Sequence, residues 1–74
     1  MSKLPQISGK SAIKAFEKIG YQVIRIRGSH FRLYNSDKDK NPLTVPNHKV
    51  LGKGLLRKLI RDADMTLDDF LNLL

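Results

Sequence analysis

Between Ser8 and Gly20 the apolar residues Ala12, Ile13, Phe16 and Ile19 recur three and four positions apart, the spacing that gathers side chains along one side of an α-helix. Ser8 is a suitable N-cap, Gly20 is placed to end the helix in a left-handed conformation, and Pro5 closes off anything upstream. The period then changes. "YQVIRIR" is rich in β-branched residues and reads as a strand, after which Gly28 turns or bulges the chain. In "SHFRLYN" the alternation sends Phe31 and Leu33 one way and His30, Arg32 and Tyr34 the other. The turn formers of "NSDKDKNP" lead into a third short strand, "LTV", which Pro46 ends because it cannot donate to a ladder. Helical spacing returns from about Lys53 to Ala63, with Leu55, Leu56, Leu59, Ile60 and Ala63 on one side and Lys53, Arg57, Lys58 and Arg61 on the other. Thr66 caps a last short helix whose first turn carries Asp68 and Asp69, where the helix dipole favours negative charge.

The order is α-β-β-β-α plus a terminal helical turn. Two helices packed on one face of a three-stranded antiparallel sheet is the economical arrangement, an α+β class whose element order is that of a double-stranded-RNA-binding domain. Seventy-four residues suffice for a single small domain, residues 1–74, with no room for a large enclosed substrate cavity. Any chemistry is therefore expected on a surface or in a shallow cleft. If the helices cover Phe31 and Leu33, then His30 stands on the open face beside an arginine and a tyrosine.

Composition narrows the class further. No cysteine is present, which excludes disulfides, a thiolate nucleophile and a Cys-ligated zinc. No apolar run approaches a membrane span, and the N-terminal "MSKLPQISGK" lacks the apolar stretch of a signal peptide, so a cytoplasmic protein without membrane contact is the expectation. Residues 1–61 hold all fourteen lysines and arginines and three acids, a net +11, whereas residues 62–74 hold four aspartates and no base, a net −4. Such a field points to a polyanion, most often nucleic acid, although charge of this kind also serves solubility alone.

Three pieces of the sequence carry a family resemblance: "R-x-x-G-S-H" at Arg25, Gly28, Ser29 and His30; "VP-x-H" at Val45, Pro46 and His48; and the helix "GLLRKLIR" that follows. In this order and in a chain of this length they resemble the HicA (YcfA-like) toxins of bacterial type II toxin-antitoxin systems, from about Leu4 to Leu71. The resemblance implies a compact fold like that of double-stranded-RNA-binding domains. It implies a ribonuclease that cleaves messenger RNA without a metal, arresting translation and growth, and a HicB-type antitoxin that covers its active site. His30 is the catalytic residue it implies. Phe31 stands where many members carry a second histidine, so that role rests on His30.

The residue types agree with this chemistry. Metal-independent RNA cleavage uses the 2′-hydroxyl as internal nucleophile and asks the protein for proton transfer and for positive charge at the phosphate. Histidine titrates near neutrality. Arg32, with Arg25 or Arg27 on the neighbouring strand, can hold the phosphate, Tyr34 can stack on a base, and Gly28 and Ser29 let an RNA backbone approach closely. His48, Lys49, Lys53 and Arg57 extend the candidate RNA-binding surface, with a backbone hydrogen bond the plainer role for His48. Two histidines without HExxH spacing or cysteine make no metal site, and no cofactor is expected. The competing function is a non-catalytic RNA-binding module using the same sheet and basic helix. A helix-turn-helix DNA binder is disfavoured by the strands between the helices.

Overall fold

A computed structural model describes residues 3–74; Met1 and Ser2 of the N-terminal stretch considered above lie outside the described residues. The elements are α1 (Gly9–Glu17), β1 (Tyr21–Arg27), β2 (His30–Asn35), β3 (Leu43–Pro46), α2 (Lys53–Asp62) and α3 (Leu67–Leu71). The strands form one antiparallel sheet in the order β1-β2-β3. The architecture is the expected α+β arrangement, like that of double-stranded-RNA-binding domains.

The α1 and α3 helices begin at side-chain caps. Ser8 caps α1, its Oγ accepting the Ser11 N–H at 3.1 Å, and Gly20 takes a φ of +100° where the chain leaves the helix for β1. Asn35, at the far end of β2, donates from Nδ2 to the Ile19 carbonyl at 3.0 Å and so ties that corner to the sheet. Thr66 and Asp69 complete a reciprocal capping box on α3. The α2 helix starts at Gly52 without a side-chain cap, and its far end is met by Lys40, whose Nζ donates to the Ala63 carbonyl at 2.9 Å.

The buried stripes meet in one core. Ala12, Ala15 and Phe16 of α1 close on Tyr21, Leu33, Leu43 and Val45 of the sheet, and Leu56, Leu59 and Ile60 of α2 complete the layer. Phe16 is its centre, edge-on to Tyr21 with ring centroids 5.8 Å apart and tilted against Phe70 at 5.2 Å. The short α3 is therefore held by Phe70, not by its own length. Leu33 is fully buried and Phe31 packs partly against the core, so the alternation in β2 is realised as the pattern indicates.

Two details of the hairpin decide where the polar residues face. Arg27 pairs with His30, leaving Gly28 and Ser29 as a two-residue turn; Gly28 has φ +59° and sits at the first central position, which asks for glycine. Gly28 turns the chain, and the bulge lies elsewhere: the register shifts between Val23 and Arg25, so Ile24 is the extra residue. Strict alternation from the core residues Tyr21 and Val23 would have sent Arg25 and Arg27 to the helix side. The bulge restores them to the open face, where Arg25 lies opposite Arg32 and Arg27 opposite His30.

The segment after β3 is clamped by backbone bonds. The Asn47 N–H donates to the Ser29 carbonyl at 2.6 Å, the Gly9 N–H to the His48 carbonyl at 2.9 Å, and the Leu51 N–H to the Ile7 carbonyl at 2.8 Å. Gly9 is required there by space, since a Cβ would overlap the Pro46 carbonyl oxygen. The start of α1, the hairpin turn and the "VPNH" segment thus hold one another.

Candidate RNA-cleaving cleft

On the open face of the sheet, Ile24, Arg25 and Arg27 of β1 and His30, Arg32 and Tyr34 of β2 line one shallow cleft of about 310 Å³. Sequence alternation supplies the β2 half, since residues 30, 32 and 34 share a face. The bulge supplies the β1 half by turning Ile24 and Arg25 toward the same side. The lining offers one imidazole, three guanidiniums, a phenol and an aliphatic wall, and no carboxylate. Positive charge is therefore unopposed at the place where a histidine is available for proton transfer.

Arg32 is the best fixed of the three arginines. Its Nη1 donates to Thr44 Oγ1 at 2.7 Å across to β3, and its guanidinium stands 5.6 Å from the Tyr34 ring centroid. Arg32 is half-buried, whereas Arg25 and Arg27 are exposed and have reach toward solvent. Tyr34 keeps 47% of its surface exposed, enough for a planar base to lie against its ring. His30 is exposed at the start of β2, directly after the glycine-containing turn.

Of the other residues singled out in the sequence, Gly28 and Ser29 form the turn beside the cleft and not its wall. His48 and Lys49 are exposed in the segment between β3 and α2, and Lys53 and Arg57 lie on the exposed side of α2; none of these four lines the cleft. What binds His48 in place is its carbonyl, which accepts from Gly9. A larger depression of about 440 Å³ lies where α2 meets α3, lined by Arg57, Arg61, Asp64 and Asp69 among apolar residues, but it holds no histidine and its charges are mixed. Chemistry, not size, singles out the smaller cleft.

Two contributors escaped the sequence. Ile24 becomes a wall of the cleft only because of the bulge, for which "YQVIRIR" carries no glycine or other mark. Thr44 alternates with Leu43 and Val45, which places it on the open face, but that it meets Arg32 follows from the register of β2 with β3.

Fold and site together define a class: a small α+β protein like the double-stranded-RNA-binding domains, with a basic, histidine-bearing cleft on the uncovered face of its sheet. Residues 9–65 match the family model described as the HicA toxin of bacterial toxin-antitoxin systems, and the chain belongs to that family. It is the toxin component of a toxin-antitoxin pair, and an antitoxin is its partner. The matched region runs from the start of α1 past the end of α2 and contains all six cleft residues. Among curated proteins, none matches the chain significantly. Among the described residues, no helix is long and apolar enough to cross a membrane.

Proposed function

We propose that this toxin is a metal-independent endoribonuclease that cleaves messenger RNA in the cytoplasm, arrests translation and growth, and is silenced by a HicB-type antitoxin covering the cleft. The observation that carries the reading is the meeting of His30 with Arg25, Arg27 and Arg32 in one cleft beside Tyr34. The RNA 2′-oxygen attacks the adjacent phosphorus, the P–O5′ bond breaks, and the products are a 2′,3′-cyclic phosphate and a free 5′-hydroxyl. The 2′-hydroxyl proton must leave and the 5′-oxygen must gain one; His30 exchanges a proton with the RNA in this step as acid or base. The arginines hold the phosphate and balance the charge that builds on its oxygens, a task that otherwise falls to a metal ion. Tyr34 stacks on a neighbouring base, and Gly28 and Ser29 leave the approach open beside His30. Lys49, Lys53 and Arg57 extend this positive surface beyond the cleft for the flanking RNA, and His48 lies beside them as a further contact.

The test is cleavage of a purified messenger RNA in excess EDTA by the wild-type chain and by His30→Ala at equal concentration. The expected outcome is fragments with 2′,3′-cyclic phosphate ends from the first and none from the second, with circular dichroism and RNA affinity essentially unchanged. Intact RNA from a folded, RNA-binding wild-type protein would overturn the proposal and leave the sheet as a binding surface.

A further inference from the structure

The β1 strand is an edge of the sheet, and beyond the bulge at Ile24 its last residues present an unpaired outer side. Because Arg27 and His30 close a two-residue hairpin, they are a hydrogen-bonded pair. The next pair, Ile26 with Phe31, is then a non-hydrogen-bonded one, so the Ile26 amide and carbonyl point away from β2 to the free edge. The Ile26 side chain is 63% exposed. It stands at the rim of an apolar groove on the helix side of the sheet, floored by Ile13, Val23 and Phe31 and bordered by Lys10, Lys14 and Glu17. On the opposite face of the same strand, Arg25 and Arg27 line the cleft. The other edge strand, β3, has four residues and ends in a proline, a much poorer template.

We infer that the antitoxin docks by adding an extended strand to the free edge of β1, and that this strand alternates acidic and apolar residues. Period-two geometry dictates the alternation. Side chains of the added strand that fall on the cleft face meet Arg25 and Arg27 and are acidic; those on the helix face enter the groove beside Ile26 and are apolar. The groove rim carries two lysines against the single carboxylate of Glu17, and this net positive charge, within a region of net charge +11, adds to the preference for an acidic partner. One strand thereby anchors in the groove and places carboxylates where the RNA phosphate would sit. The inference rests on the antitoxin of the reading above but not on the chemistry of His30.

The test pairs two variants outside the cleft, Ile26→Asp and the charge reversal Lys10→Glu/Lys14→Glu, with the cognate antitoxin. Ile26→Asp removes the apolar anchor, and its expected effect is a ten- to hundredfold rise in antitoxin Kd, about what loss of one buried aliphatic side chain gives. The double reversal, on the solvated side of α1, is expected to weaken the complex and make it far less salt-sensitive. Hydrogen exchange at the Ile26 amide is expected to slow at least about tenfold in the wild-type complex. If the Ile26 amide exchanges as fast in the complex as in the free toxin, or if both folded variants keep wild-type affinity, the strand-addition mode is wrong. Expression without antitoxin separates the two readings: both variants should still arrest growth. A wild-type chain that never arrests growth counts against the toxin ribonuclease, while the binding and exchange measurements still decide the docking mode. Should the amide be protected without any antitoxin, the edge pairs with a second copy of this chain and the inference fails.

Discussion

Tyr21 does two things at once. Its ring lies edge-on to Phe16 in the core, while its hydroxyl donates to the Asn41 carbonyl at 2.8 Å and fastens the long turn after β2 to the start of β1. Burial pushes its pKa above the ordinary 10.0, and the carboxylates of Asp62 and Asp37 push in the same direction. A phenol harder to ionise folded than unfolded leaves stability unaffected below the unfolded pKa. Above about pH 10 the unfolded chain releases the proton first, so stability is lost as pH rises toward the folded pKa. Tyr21→Phe is expected to cost about 1 kcal/mol near neutrality, through the hydrogen bond, and to flatten the alkaline decline. Urea titrations at neutral pH and above pH 10 check both parts; an unchanged alkaline slope in the variant would assign the decline to other groups. Arg32 shows the same economy, with one nitrogen held by Thr44 and the remaining donors free for a phosphate.

At the scale of elements, the three-way junction of α1, the hairpin turn and the "VPNH" segment sets the height of α1 over the sheet. Gly9 is the closest point, buried with its Cα against the Pro46 carbonyl. Gly9→Ala should gain helix propensity in isolation, yet the expected outcome is destabilisation of about 1–3 kcal/mol, because the added methyl must push α1 from β3. Thermal unfolding checks the sign: a higher Tm would show that the junction can relax. The strands carry the other lesson at this scale. In β2, alternation alone assigned His30, Arg32 and Tyr34 to one face, and the structure agrees. In β1, alternation alone assigns the arginines to the wrong face, since nothing local marks Ile24 as a bulge. It arises because the hairpin turn fixes the pairing at one end of the strand and the burial of Tyr21 and Val23 fixes it at the other, with one residue too many between.

For the whole molecule, acidic and basic side chains are segregated along the chain. Within the acidic C-terminal segment, Asp62 pairs with Lys58 at 2.8 Å and Asp69 closes the α3 capping box. None of the four aspartates in residues 62–74 reaches the cleft, which is lined by three of the arginines without opposition. The three cleft arginines should contribute about −2 to the log–log salt slope for single-stranded RNA, roughly fifteenfold of the affinity lost between 50 and 200 mM salt. Arg27→Ala should lower the magnitude of the slope by about 0.7, and Arg57→Ala, outside the cleft, should lower it less. Fluorescence anisotropy with an uncleavable 2′-deoxy-substituted RNA and the His30→Ala chain measures this; equal slopes for both variants would move the RNA path toward α2.

The sequence alone determined the element order, the caps at Ser8 and Thr66, the buried stripes of both helices and the half of the cleft on β2, because each depends on residues within a few positions of one another. The short motifs around His30 also carried the family, now shown by the match over residues 9–65. Register and packing brought both candidate arginines, Arg25 and Arg27, to His30 together, added Ile24, set Thr44 against Arg32, tied His48 by its carbonyl away from the cleft and left Ile26 facing an open edge. These depend on strand register and on the packing of distant segments. A one-residue slip reverses every side chain of a strand, and no local pattern can specify it.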